Sequence, residues 1–312
     1  MRNYSIDTLK LICAILVISL HVPLPEGSID YLTPIMRCAV PVFFMLSGYF
    51  TYSKSGLNNV IRKRIMKQVK VLCWAFLLYL FISFVDVGAE AIRGLKVLFS
   101  PRCFLCNILP YAGHLWYISA YIYVLIIILF IDKYNLYKLL FYITPVLLIV
   151  AISIGMYSEI FLNCTFPTYY SRNFLFTGLP FFALGMMIRL LKKIPSTPIL
   201  IVSLITFYFL GLAEVMKLKN GAGDMYFSTI FISVSIFLLF LSICQPKDNI
   251  FSRLGREDGL YIYILHQCFA TIVWTYSDKV PALTYISMPL VLCLTLLLIY
   301  FLKRIKLIGK II

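Results

Sequence analysis

The chain has 312 residues and a net charge of +15, with 62% hydrophobic and only 13% charged residues. A soluble domain holds about 25% charged and 45–50% apolar residues, so a water-soluble core is excluded. The positive charge is therefore weighed by its placement along the chain before any acidic partner is considered.

Apolar runs of membrane-spanning length recur from end to end. They predict an all-α, polytopic membrane protein of about ten transmembrane helices. The spans fall near 6–24, 34–53, 69–88, 114–131, 138–157, 172–190, 198–216, 225–244, 259–277 and 282–302. The first run follows Arg2 and Lys10 as a secretory signal would, but Leu20-His21-Val22-Pro23 is not a cleavage site, so it is read as a retained helix.

That first span is mostly apolar but carries Asp7 and Lys10, and His21 borders it. Lys10 to His21 is eleven helical steps, only ~20° past three turns, and Asp7 to His21 is ~40° short of four turns. The three residues share one face, with His21 ~16 Å beyond Lys10. A polar stripe on such a helix turns toward protein or water rather than lipid.

Placing the N-terminus inside puts most basic residues in inner segments. These hold Arg2, Lys10, Lys54, Arg62, Lys63, Arg64, Lys67, Lys70, Lys133, Lys138, Arg189, Lys192, Lys193, Lys247, Arg253 and Arg256, with Lys303, Arg304, Lys306 and Lys310 in the tail. An even number of spans makes both termini cytoplasmic. The basic excess is then mostly a topology signal, and no nucleic-acid partner is expected. No second domain, solvated linker, low-complexity segment or clear repeat interrupts residues 1–312, which read as a single integral-membrane domain.

The outer loop over about 89–113 contains apolar pieces too short to cross, so it either lies on the surface or re-enters. It is a candidate cap over a cavity, or an interfacial helix. Its Cys103 and Cys106 form one CxxC. Without a second pair this is no zinc site, and a disulfide depends on the compartment. The nine cysteines are otherwise scattered, and no metal is assigned.

All three histidines, His21, His114 and His266, sit in or at the ends of spans, where ionisable groups are costly and tend to be functional. The alternative is a satisfied structural histidine. Arg37, in the second span, and Arg172, opening the sixth, are candidates for a polar or anionic acceptor or for structural ion pairs. Ser47-Gly48-Tyr49 permits close backbone approach or ordinary small-residue packing.

The ordered motifs resemble the bacterial integral-membrane acyltransferases of family 3. They are Ile6-Asp7-Thr8-Leu9-Lys10 with His21 eleven residues on, Val40-Pro41-Val42-Phe43-Phe44 through Phe50, His114-Leu115-Trp116, Gly178 to Gly185, and Leu254-Gly255-Arg256 followed by Tyr261 to His266. The chain departs from that pattern with Lys10 for the usual arginine and Gly259 for a frequent serine. Lysine offers a point charge in place of a planar fork. The chain is also similar to the membrane half of vancomycin-resistance serine racemases, a half linked to serine uptake. No racemase domain is expected here, since the sequence closes at Ile312.

The resemblance implies O-acylation, usually O-acetylation, of a cell-envelope polysaccharide or glycolipid hydroxyl by cytoplasmic acyl-CoA, usually acetyl-CoA, in the bacterial cytoplasmic membrane. No bound cofactor is implied. His21 is the catalytic candidate, as general base or as an acyl-histidine relay. Asp7, Lys10, Arg37, Ser47, His114, Trp116, Arg172 and His266 are substrate or donor candidates. Arg62 and Arg64 are candidates for the CoA phosphates, or part of the inner basic cluster that meets anionic lipid. The alternatives are a small-solute transporter, for example of serine, and a structural membrane partner.

Overall fold

The computed structural model describes residues 3–52, 57–88, 90–218, 224–243, 247–306 and 308, with the side chains of Glu90 and Arg93 undescribed. Arg2, Lys54, Lys310 and Cys244 lie outside the described residues.

Every regular element among the described residues is helical. In chain order the helices are α1 (Tyr4–Leu20), α2 (Ser28–Met36), α3 (Ala39–Thr51), α4 (Leu57–Val87), α5 (Glu90–Leu98), α6 (Pro101–Cys106), α7 (Trp116–Lys133), α8 (Tyr137–Ile154), α9 (Ser158–Leu162), α10 (Leu179–Arg189), α11 (Thr197–Lys217), α12 (Phe227–Ser242), α13 (Ile250–Glu257), α14 (Gly259–Ser277) and α15 (Leu283–Arg304). Each of the spans read from the sequence overlaps a helix among the described residues. Six stretches among the described residues are long and apolar enough to cross a membrane: Ser28–Thr51, α4, Gly113–Lys133, α8, α11 and α15. Phe174–Arg189 and α12 are shorter apolar helices. These helices make the chain a multi-pass membrane protein.

Several boundaries differ from the sequence reading: the third span's helix begins at Leu57 rather than near residue 69 and the sixth begins at Phe174 rather than 172, and two others differ for local reasons. The first helix closes at Leu20 rather than near residue 24, and His21 becomes its cap, with φ −116°. Pro23 explains this, because it disfavours helical geometry at Val22 and offers no N–H. The second span is broken between Met36 and Ala39, which leaves Arg37 at the junction of two helices. Pro41 lacks the N–H that would continue the ladder to the Arg37 carbonyl.

The described residues group into two compact units. One is drawn from Met1–Phe43, Leu191–Lys219 and Met225–Lys310, and the other chiefly from Phe44–Leu190 with Asp224. In the first unit α1 is central and meets α2, α12, α13, α14 and α15. Its Leu9, Cys13, Ala14, Val17 and Ile18 are buried. The tightest contact on it is Gly255 of α13. A Cβ there would lie 1.9 Å from the Asp7 carbonyl oxygen, so only glycine allows this backbone approach. Glu214, buried on α11, accepts from the Phe227 and Ser228 N–H groups at 3.0 Å each, placing a carboxylate on the start of α12.

In the second unit α4 meets α7, and α8 meets α10. Gly48 and Gly185 mark the crossing of α3 and α10. A Cβ on Gly48 would fall 1.9 Å from the Phe182 oxygen, and one on Gly185 would fall 2.0 Å from the Met45 oxygen. Ahead of α10 the chain makes a π-helical turn, Phe174–Gly178. Asn173 caps it, accepting from the Leu175 and Phe176 N–H groups.

Candidate functional site

In the first unit the inner part of α1 carries a charge chain. Asp7, only 2% exposed, accepts from Lys10 Nζ at 2.8 Å. A guanidinium nitrogen of Arg256 lies 4.0 Å from the other carboxylate oxygen. Arg256 in turn grips Asp248 with both terminal nitrogens, at 3.2 and 2.9 Å, and reaches Glu257 at 3.2 Å. Arg256 and the Ser252 hydroxyl pull the Asp248 carboxyl down to about 2. The carboxylates beside Arg256, Asp248 first, raise its already high pKa further. Lys10 is therefore paired with a buried carboxylate while a third of its own side chain stays exposed.

At the far end of α1, His21 is half-buried and its ring stands 5.2 Å from that of His266, tilted by 45°. His266, on α14, is fully buried. Its Nδ1 lies 3.1 Å from the Ile262 carbonyl and 2.8 Å from that of Tyr263. Carbonyls only accept, so Nδ1 carries a proton and donates to them. His21 is thus neighbour to an imidazole of fixed orientation. The main chain of His21 is held from α14 as well, because Trp274 Nε1 donates to the His21 carbonyl at 2.9 Å.

A cavity of about 830 Å³ adjoins this end of α1. Leu20 and Val22, on either side of His21, line it, together with Arg37, Glu26, Asp278, Trp274 and Tyr285.

The second unit holds the other candidates. His114 is buried in a helical turn before α7, with the Tyr79 ring edge-on at 4.9 Å. Arg172 lies just before the π-helical turn rather than opening a helix. It pairs with Asp224 at 3.2 Å and stands 5.7 Å over the Trp116 ring. Ser47 lies on α3, and its carbonyl accepts from the Thr51 hydroxyl at 2.5 Å. Arg64 donates to Thr51 Oγ1 and, at 3.2 Å, to the Phe50 carbonyl, whereas Arg62 is exposed. Cys103 and Cys106 are free, buried thiols on α6. Burial raises both pKa values, with Arg102 opposing the shift at Cys106.

Sequence reasoning missed Trp274, Asp248, Asp224 and Asn107. Buried Asn107 donates to Ser119 Oγ at 3.1 Å and accepts from the Phe174 N–H at 2.9 Å. Its left-handed backbone, φ 57°, is the one local hint, because asparagine tolerates that region. The Trp274–His21 and Arg172–Asp224 pairings join residues far apart in the chain and leave no local signal, whereas Asp248 lies only eight positions before Arg256.

The profile of a family described as an acyltransferase domain matches residues 3–304. The chain is similar to a serine/alanine racemase of Enterococcus gallinarum, 26% identical over 316 residues, covering 91% of this chain and 43% of that protein. It is also similar to an amino-acid racemase of Enterococcus faecalis, 24% identical over 310 residues, covering 90% and 43%. The chain spans less than half the length of these relatives. No solved structure matches it.

Proposed function

Because the chain belongs to acyltransferase family 3, we propose that it is a membrane O-acyltransferase of the bacterial cytoplasmic membrane. In this reading residues 1–312 form one domain of ten crossings with both termini cytoplasmic. The donor is cytoplasmic acyl-CoA, acetyl-CoA in the first instance, and the acceptor is a hydroxyl of a surface glycan or glycolipid. The profile match from end to end carries the reading.

His21 is the general base. It takes the proton of the acceptor hydroxyl as that oxygen attacks the thioester carbonyl carbon. The carbon–sulfur bond breaks, and the CoA thiolate leaves and recovers the proton from the imidazolium. The products are the ester and free CoA. A base so placed contributes about 10²–10⁴-fold. The neighbouring His266, whose Nδ1 is committed to two carbonyls, supports this role by holding a second imidazole in fixed orientation beside His21. The racemase names belong to proteins more than twice this length, and racemisation is not carried over.

The test is reconstitution with labelled acetyl-CoA and a glycan acceptor. Wild type transfers label and His21→Ala loses about 10²–10⁴-fold. Full transfer by His21→Ala would overturn the assigned base. Serine accumulating in proteoliposomes without an acyl donor, with no label transferred, would overturn the function.

A further inference from the structure

The basic stretch at the start of α4 has a lateral asymmetry that its charge alone does not reveal. α4 runs for 31 residues, about 46 Å. The hydrocarbon core of a bilayer is ~30 Å thick, so one end of the helix extends past it by ~16 Å. That end holds Arg62, Lys63, Arg64, Lys67 and Lys70, and the first acid after Leu57 is Asp86. With Val87 at the far edge of the core, Lys70, Lys67 and Lys63 stand ~26, ~30 and ~36 Å along the axis. That is the depth at which hydrocarbon gives way to headgroups.

Helical phase divides these cations. With Lys63 as zero and about 100° per residue, Lys67 falls at ~+40° and Lys70 at ~−20°. Further along the helix Leu77 falls at ~−40°, Phe81 at ~0° and Val85 at ~+40°. These three apolar side chains are 62%, 66% and 70% exposed, on the face that α4 turns away from the protein. The buried positions Leu57, Ile61, Val71, Ala75 and Tyr79 occupy the arc from ~+80° to ~+160°. Arg64, at ~+100°, belongs to the buried arc, and it donates inward to Thr51 Oγ1 and to the Phe50 carbonyl. Lys63, Lys67 and Lys70 are exposed, and among the described residues no ion pair holds them.

From this alignment we infer that Lys63, Lys67 and Lys70 bind the phosphate of an anionic phospholipid in the leaflet around that end of α4, with its acyl chains lying along Leu77, Phe81 and Val85. A lysine suits this placement, because its stem covers apolar surface while the ammonium stays at the interface. Each lysine near a membrane surface strengthens the attraction to anionic lipid about fivefold. Sidedness alone would spread the cations around the helix. Instead three of them share the exposed apolar face, and Arg64, on the opposite arc, is taken up by the protein's own oxygens. A soluble polyphosphate gains nothing from Leu77, Phe81 and Val85, whereas a phospholipid meets both halves of this face. The inference concerns a lipid partner and does not rest on the acyltransferase reading.

The experiment is native mass spectrometry of the purified full chain in detergent micelles, titrated with phosphatidylglycerol, phosphatidylcholine or free CoA. Phosphatidylglycerol binds at least about 10-fold more tightly than phosphatidylcholine, and CoA does not displace it. The double variant Lys67→Gln, Lys70→Gln loses about 10- to 30-fold in phosphatidylglycerol affinity, and Lys67→Arg, Lys70→Arg keeps the wild-type value. Lys192→Gln, Lys193→Gln removes two exposed cations from the segment before α11 and leaves the affinity unchanged. An equal loss in both glutamine pairs would reduce the effect to net charge and overturn the site. Displacement of the lipid by CoA would assign the lysines to an aqueous polyphosphate and overturn the partner. Equal affinity for the two lipids would overturn the inference outright. The lipid preference and the CoA competition are read on the wild type, so they decide the matter even where a variant folds poorly.

Discussion

Trp274 Nε1 donates to the main-chain carbonyl of His21 across 2.9 Å, linking residues 253 positions apart. The bond falls where α1 has ended, so this carbonyl has no further helical turn to serve. Trp274→Phe keeps the ring but removes the donor. Acyl transfer should fall about 3- to 10-fold in kcat, the worth of one hydrogen bond, with donor KM unchanged. Steady-state kinetics against varied acetyl-CoA measures it, and an unchanged kcat would remove Trp274 from the positioning of His21.

His266 is expected to act through His21. His266→Gln keeps a polar side chain of similar bulk but lacks the second imidazole. Its kcat should drop about 10- to 100-fold and the pH profile of kcat should move, while helix content by circular dichroism stays at the wild-type level. A lowered kcat with an unmoved profile would assign His266 to packing.

The Lys10–Asp7 pair makes opposite demands on two assays. Lys10→Met removes the 2.8 Å partner of a carboxylate that is 2% exposed, with Arg256 at 4.0 Å. Lys10 is about a third exposed, so the pair is partly screened. A loss of about 1–3 kcal/mol is expected in denaturant unfolding, and Lys10→Arg should recover most of it. Unchanged stability with a raised KM for acetyl-CoA would instead place Lys10 on the donor.

Gly255→Ala and Gly48→Ala drive a methyl into a backbone carbonyl at 1.9 Å, so each should cost about 1–3 kcal/mol or more. Gly259→Ala meets nothing within 4 Å and should be neutral or stabilising by up to about 1 kcal/mol. Urea unfolding of the three variants separates them.

The Arg256–Asp248 clasp sets an acid limit. Asp248 is held at about 2 in the folded chain, below an ordinary aspartate near ~3.9. A lowered folded pKa gives stability that is complete above the unfolded value and lost as pH falls through the folded one. Tm should therefore fall more steeply for wild type than for Asp248→Asn between pH 4 and about 2. Parallel curves would show that the clasp contributes nothing.

The sequence by itself determined the membrane class and the approximate place of the long apolar helices. Each depends on composition, apolar run length or helical period, which act within a few turns of chain. Pro23 even marks where the first helix stops. Tertiary structure alone decided what the polar residues meet. Gly255 brings Arg256 to Asp7, α14 supplies both His266 and Trp274 to His21, and Asp224 pairs with Arg172. The physical reason is reach. A charge or hydrogen-bond donor acts over a few ångströms, and the chain brings such groups together only after helices distant in sequence have packed.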